Sequence, residues 1–444
     1  MRSAAPTVPK GLLIAAPHSG AGKTTVTLAL LRALKNRGCA VASAKSGPDY
    51  IDPKFHEAAC GTPCANLDAF AMSGQQLRHL AGVQAENAQL LIVEGAMGLF
   101  DGAANGTGSA ADLAACLGVP VVLVVDCARQ SQSVAALVSG FANFRPDVKV
   151  AGLVLNRVGS ARHEAMLRKA LLPLNIPVVG ALPRDEALHL PDRHLGLVQA
   201  SEHGDLERFL ETAAERVREC LDLDLLDKLA TPLALAGRAE PKLLLPPPAQ
   251  RIAIARDQAF AFCYPHLLDD WRRAGAALSF FSPLADEAPE ENAESVYLPG
   301  GYPELYAGPL VSAETFRSGM MAAAERGALI YGECGGYMTL GEALIDADGG
   351  SHPMLGLLPL VTSFAARKRH LGYRVLTPLN LDVWPGLAGK PLMGHEFHYA
   401  SIISEGPAER LFSATDAEGT AMPDMGLRCG RVMGSFAHVI CQGV

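Results

Sequence analysis

Ala16-Pro17-His18-Ser19-Gly20-Ala21-Gly22-Lys23-Thr24-Thr25 follows the apolar run Leu12-Leu13-Ile14-Ala15 and precedes an apolar helical pattern that reaches Leu34. The order is strand, loop, helix. Small residues let successive backbone N–H groups close around phosphate oxygens, and the helix N-terminus adds partial positive charge. Lys23 reaches the outer phosphates, and Thr24 offers a hydroxyl to Mg²⁺. Gly20, Gly22, Lys23, Thr24 and Thr25 are therefore candidate nucleotide-binding residues. Pro17 stands where the usual G-x-x-x-x-G-K-[ST] motif has its first glycine.

Outward from this loop, aliphatic runs alternate with helical patterns from residue 11 to about 230: Gly11–Ala16, Cys39–Ala44, Leu90–Val93, Val119–Val125, Val150–Leu155 and Val178–Leu182. Such alternation predicts right-handed βαβ units in one doubly wound parallel sheet, with ligands at the carboxyl ends of the strands. The residues after each run are thus the informative ones. Gly47-Pro48-Asp49-Tyr50-Ile51-Asp52-Pro53 follows the second run and brings two carboxylates, Asp49 and Asp52, three apart in a Pro/Gly-held loop. They suit a metal-bound phosphate or a solvated Asp turn. Glu94 ends the third run, and Gly95-Ala96-Met97-Gly98-Leu99-Phe100-Asp101-Gly102 follows. A carboxylate freed by glycines could cap the following helix, but beside a phosphate loop with Lys23 and Thr24 it reads as a Mg²⁺ ligand. Asn156 closes the fifth run, where an amide suits either a nucleotide base or plain turn chemistry. Residues 201–229 read as an amphipathic helix.

A chain of 444 residues exceeds one ordinary core. Pro232, Pro241 and Pro246-Pro247-Pro248 mark a stiff linker at 231–250, which divides the chain into domains at 1–230 and 251–444. A net charge of −8 leaves no electrostatic footprint for nucleic acid. No apolar run reaches the roughly 18 residues of a membrane span, and ten scattered cysteines, with Cys60 and Cys64 a lone C-x₃-C, suit reduced thiols. A soluble, cytoplasmic protein is expected.

The second domain opens a new α/β series at Arg251–Ala255, Ser295–Pro299 and Ala328–Tyr331. Gly332-Glu333-Cys334-Gly335-Gly336 then reads as a nucleophile elbow carrying sulfur, with the following helix lowering the thiol pKa. Leu298-Pro299-Gly300-Gly301-Tyr302-Pro303-Glu304 supplies a strand-end glycine pair, and the N–H groups of Gly300 and Gly301 suit an oxyanion hole. The thiol also needs a base. His352, His370, His395, His398 and His438 all qualify, because triad partners meet in space rather than in sequence. His395-Glu396-Phe397-His398 hints at metal but reads better as a hydrogen-bonded strand.

This combination resembles the glutamine-dependent a,c-diamide synthases of cobalamin biosynthesis. The resemblance runs over nearly the whole chain: Ala16–Thr25, Gly47–Pro53, Val93–Gly102, Leu298–Leu305, Gly332–Met338 and Gly394–Tyr399. It implies a dethiobiotin-synthetase-like P-loop domain followed by a class I glutamine amidotransferase domain. It also implies ATP-dependent activation of corrinoid carboxylates through an acyl phosphate, on hydrogenobyrinic or cobyrinic acid, and amidation by ammonia released from L-glutamine. Carried onto this sequence, Cys334 is the nucleophile and His438, in Gly434-Ser435-Phe436-Ala437-His438, its base. Thr24, Asp49 and Glu94 hold Mg²⁺, and Asp52 and Asp101 lie by the corrinoid. A homodimer is implied by the resemblance alone. The acid that many class I glutaminases carry two residues after the histidine is replaced by Ile440, so the group orienting His438 is unassigned.

Two competing readings remain at this level. One is a related amidotransferase acting in cobyric acid synthesis or nickel-sirohydrochlorin diamidation. The other is a non-catalytic P-loop switch ATPase, whose signature lysine five residues before Lys23 is His18 here.

Overall fold

The computed structural model describes residues 8–185, 188, 192–193, 196–197, 200, 204–235, 243–379, 384–387 and 389–443. The chain forms two compact units, Met1–Pro241 and Lys242–Val444.

In the first unit, strands alternate with helices: β1 (Lys10–Ala15), α1 (Lys23–Asn36), β2 (Val41–Ser46), α2 (Asp52–Cys60), β3 (Cys64–Leu67), α3 (Gly74–Gln84), β4 (Leu90–Glu94), α4 (Ala110–Leu117), β5 (Val121–Asp126), α5 (Val134–Asn143), β6 (Val150–Val158), α6 (Ala161–Leu171) and β7 (Val178–Pro183). The strands run parallel in the order β3-β2-β4-β1-β5-β6-β7. This is the expected doubly wound sheet. Strands such as Val121–Val125 are buried along their whole length, as a sheet covered on both faces requires. The order turns back on itself around β1, which places the Ala16–Thr25 loop at the switch point where ligands bind.

Three local expectations change. Cys64 does more than complete a C-x₃-C spacing, because Cys64–Leu67 is the edge strand β3, paired with β2. After two short strands, β8 (Asp192–Arg193) and β9 (Gly196–Leu197), the amphipathic stretch divides into α7 (Leu206–Cys220) and α8 (Leu223–Leu229); residues 201–203 lie outside the described set. The break has a local cause: Leu221 bridges to Gly180, and the Asp222 side chain accepts the Leu225 N–H at 2.8 Å, which starts a new helix. The linker expected from residue 231 begins inside the sheet, since Thr231–Pro232 (β10) pairs antiparallel with β1. Pro241 of that linker lies outside the described residues.

The second unit contains β11 (Arg251–Ala255), α9 (Pro265–Arg273), β12 (Ala277–Phe281), β13 (Ser295–Leu298), α10 (Ala307–Ser312), α11 (Glu314–Glu325), β14 (Leu329–Glu333) and α12 (Gly335–Leu340). Strands then dominate: β15 (Ala343–Ile345), β16 (Ser351–Pro353), β17 (Leu360–Ser363), β18 (His370–Pro378), β19 (Leu392–His398), β20 (Ser401–Glu405), β21 (Glu409–Thr415), β22 (Ala421–Cys429), β23 (Val432–Ser435) and β24 (Ala437–Gln442). A ten-stranded sheet runs β12-β11-β13-β14-β23-β22-β21-β18-β19-β24. It is parallel from β12 to β23 and antiparallel beyond. The antiparallel half was not anticipated, because its apolar residues do not form the continuous runs that mark a doubly covered strand. No helix among the described residues is long and apolar enough to cross a membrane.

Candidate functional site

The phosphate loop ends at Gly22, which takes φ 89° as the residue before α1. A side chain there would be strained and would collide with the Asn156 amide nitrogen. That amide donates to the Ala21 carbonyl at 2.9 Å, so Asn156 braces the loop from the end of β6. It also lines, with His18, Thr25, Asp126, Arg157 and Arg184, a cavity of about 890 Å³ beside the loop. Thr25 donates to the Leu188 carbonyl at 3.4 Å.

Glu94, at the end of β4, is fully buried beside the loop. Its Oε1 accepts from Thr24 Oγ1 at 2.6 Å, Lys45 Nζ at 2.9 Å and Lys23 Nζ at 3.1 Å. Its Oε2 lies 2.6 Å from His56 Nε2. Lys45, also buried, pairs with Asp52 and stands 3.9 Å from Asp49 Oδ2. Burial alone would raise the Glu94 pKa and lower that of Lys45. The surrounding opposite charges outweigh it, holding the carboxylate well below and the ammonium above their ordinary values.

The loop of Asp49 is built by side-chain bonds. Asn66 of β3 donates to the carbonyls of Gly47 at 2.9 Å and Asp49 at 2.7 Å, and Asp49 Oδ1 accepts the N–H groups of Ile51 and Asp52. The loop therefore leads straight into α2. Asp52 is buried against Lys45, whereas Asp101 is exposed and accepts the Gly98 N–H at 2.9 Å. Thr24, Glu94 and Asp49 supply hard oxygens of the kind Mg²⁺ takes, so the donor set fits that ion. Lys23 and Lys45 share Glu94 Oε1 with Thr24.

In the second unit, Cys334 sits between β14 and α12 with φ 46° and ψ −103°, a backbone conformation a side chain rarely adopts. Such strain is the mark of a nucleophile elbow. Its N–H donates to the Ser435 carbonyl at 2.9 Å, which ties the elbow to the end of β23 just before His438. A Cβ on Gly335 would stand 2.9 Å from the Gly301 nitrogen, so the glycine pair lies against the elbow. Gly300 lies against the His438 ring, and its carbonyl accepts the Phe262 N–H at 2.9 Å.

The remaining histidines separate. His352 pairs with Asp346 at 2.7 Å in the small sheet of β15 and β16. His398 is held between the Ala400 carbonyl at 3.0 Å and Glu396 at 2.8 Å, and His370 stacks on it. His370, Glu396 and His398 approach one another as metal ligands do. However, both His398 nitrogens face acceptors and Arg374 occupies Glu396 at 2.8 Å, so this is a hydrogen-bonded strand. His395 is the register partner of His438 across β19 and β24.

One expectation is overturned. The Cys334 thiol is not lowered: burial, then the nearby Glu304, pushes it up, and the Gly335 N–H only partly opposes this. Burial and the neighbouring His395 and His398 lower His438 to about 3. Both groups are thereby held in their neutral forms.

Residues 12–198 match the CobQ/CobB/MinD/ParA nucleotide binding domain, and residues 251–443 match the CobB/CobQ-like glutamine amidotransferase domain. A hydrogenobyrinate a,c-diamide synthase of Brucella anthropi is 60% identical, over 97% of this chain and 98% of the relative. The chain belongs to the hydrogenobyrinate a,c-diamide synthase family. The correspondingly named protein of Rhizobium meliloti is 59% identical over 97% of this chain and 99% of its own. That of Mesorhizobium japonicum is 52% identical over 98% and 99%. As a member of this family, the chain is an amidating ligase with a nucleotide-binding domain and glutamine as its amide donor.

Within this hydrogenobyrinate a,c-diamide synthase framework, sequence reasoning missed Lys45 and His56. Neither belongs to a local motif: β2 also carries Ser43 and Ser46, and α2 also carries Asp52, Lys54 and Glu57. The available signal for Lys45 was its place at the end of a strand predicted to point at the ligand side.

Proposed function

We propose that the chain converts the a and c carboxylates of hydrogenobyrinic acid to amides, using ATP and L-glutamine. The observation that carries this reading is the near end-to-end match to proteins of that name, in a chain whose two units each build a strand-end site suited to one half of the reaction. The relatives' name favours the cobalt-free substrate over cobyrinic acid.

In the amidotransferase unit, His438 takes the thiol proton as Cys334 Sγ bonds to the glutamine carboxamide carbon. The N–H groups of Gly300 and Gly301 receive the negative charge on the carbonyl oxygen. The imidazolium then protonates the leaving nitrogen, ammonia departs, and water attacks the thioester to give glutamate and free Cys334. Both starting groups are neutral, so the step separates charge inside a buried site and needs fixed partners.

In the nucleotide unit, the backbone from Gly20 to Thr25 cradles the phosphates, and Lys23 and Lys45 supply positive charge where the γ-phosphoryl group passes to a substrate carboxylate. Thr24, Asp49 and Glu94 would hold Mg²⁺, which when bound offsets phosphate charge. Asn156 keeps the loop closed, Asp52 positions Lys45, and the exposed Asp101 meets the corrinoid. Ammonia then displaces phosphate from the acyl phosphate, leaving the amide. Direct supply of unprotonated ammonia to that centre avoids loss as ammonium.

A cytoplasmic enzyme without membrane partners is part of this reading, and the net charge of −8 argues against a nucleic-acid partner. A homodimer rests on family resemblance and is tested by light scattering. The function itself is tested by incubating the chain with ATP, Mg²⁺, glutamine and hydrogenobyrinic acid and counting carboxyl-to-amide conversions by mass spectrometry. Two conversions per molecule are expected. None, with glutaminase and ATPase activities intact, overturns the substrate assignment.

A further inference from the structure

The residue directly before the nucleophile, Glu333, is 2% exposed at the end of β14. Its Oε1 accepts the Val439 N–H at 3.0 Å and the Tyr331 hydroxyl at 3.0 Å, and its Oε2 accepts the Tyr297 hydroxyl at 2.7 Å. That same Oε2 stands 3.9 Å from His438 Nδ1. Val439 follows His438 in β24, so one carboxylate both anchors the strand that carries the base and faces its ring. Ile440, where the commoner class I arrangement has its acid, contributes only a carbonyl, which bonds His266 at 2.8 Å.

We infer that Glu333 is the positioning carboxylate of His438, so that the nucleophile and the group orienting its base are consecutive residues. This rests on the assignment of Cys334 and His438 made above. With Nδ1–H turned to Glu333, Nε2 is left to take the Cys334 proton, and the carboxylate stabilises the imidazolium that results. A separation of 3.9 Å is loose for a hydrogen bond, but catalytic contacts tighten when substrate fills the site. All three hydrogen-bond partners of Glu333 are donors and favour its ionised form, whereas burial opposes it and brings the group to about 7. Around the His438 ring stand Glu333 from β14 and His395, Glu396 and His398 from β19. Around Glu333 stand Tyr297 from β13, Tyr331 on its own strand and Cys334.

The test is the pH dependence of glutamine hydrolysis in the full-length chain. Glu333→Gln is expected to lower kcat about 100-fold with little change in the KM for glutamine. It also removes a negative charge beside the base, so the acid limb of kcat/KM is expected to move to lower pH by about one unit. Glu333→Asp should restore part of both effects. Tyr297→Phe removes the donor that holds Oε2 away from the ring, and is expected to move the limb upward; this variant serves if Glu333→Gln does not fold. A limb unmoved in Tyr297→Phe overturns the inference, as does one unmoved in a folded Glu333→Gln protein. Cys334→Ala and His438→Asn run alongside. If they keep glutamine-dependent turnover, the underlying assignment falls. If they lose it while the Glu333 and Tyr297 variants keep the wild-type profile, only the role of Glu333 falls.

Discussion

A Cβ on Gly300 would stand 3.0 Å from Nε2 and 3.2 Å from Nδ1 of His438, with Cε1 closer still. The glycine is therefore needed for the His438 ring to lie where it does, independently of its N–H group. Gly300→Ala is expected to displace the ring and to lower glutamine-dependent kcat about 100-fold. Overpacking should also cost about 1–3 kcal/mol of stability. Steady-state glutaminase assays and urea denaturation check both, while ammonium-supported amidation should persist.

Cys334 is the most restrictive of the proposed assignments. Cys334→Ala is expected to reduce glutamine-dependent amidation at least about 10³-fold, because nucleophile and base act as a unit. Ammonium at high pH should restore product formation. Full glutamine-dependent activity in this variant would refute the assignment.

Lys45 makes a separate prediction about stability. It is buried between Asp52 and Glu94, so Lys45→Met leaves two buried carboxylates without their shared cation. Breaking such a pair from one side costs about 3–5 kcal/mol. A lowered urea midpoint and loss of ATP-dependent acyl phosphate formation are expected together. Asp52→Asn should give a smaller loss, since Glu94 still holds the lysine at 2.9 Å.

His266 makes its own contribution to the pH dependence of the second unit, opposite in sign to that of Glu333, whose raised pKa loses stability as pH rises from about 4.5 to about 7. His266 is 3% exposed, and burial lowers it to about 4 against the opposing bond to the Ile440 carbonyl. Below pH 6.5 the unfolded chain binds a proton that the folded His266 refuses, so the contribution of this residue falls as pH drops from about 6.5 to about 4. The loss amounts to about 3 kcal/mol over that window. Relative to the wild type, His266→Gln should lose less stability as pH drops through this window, while His438, lowered by burial and by His395 and His398, keeps its own contribution.

The sequence by itself determined the nucleotide-binding architecture. The alternation of buried aliphatic runs with helical patterns leaves few topologies open, and the Gly-Lys-Thr core after the first run could serve only at a strand end. The Cys334 elbow was legible for the same reason: glycines flanking a thiol between strand and helix constitute a local signal. The antiparallel half of the second sheet was less legible, because strands half exposed to solvent carry mixed residues whose partners are set by the rest of the sheet.

Only the tertiary structure decided which histidine lies against the Gly300 turn. It brought His438 to Gly300 and sent His352 to Asp346, pairings that span between 6 and 138 residues of sequence. It also put Lys45, His56 and Glu94 in one buried cluster, and reversed the expected state of the thiol. A pKa responds to burial and to charges that arrive from distant strands, and no local spacing encodes either.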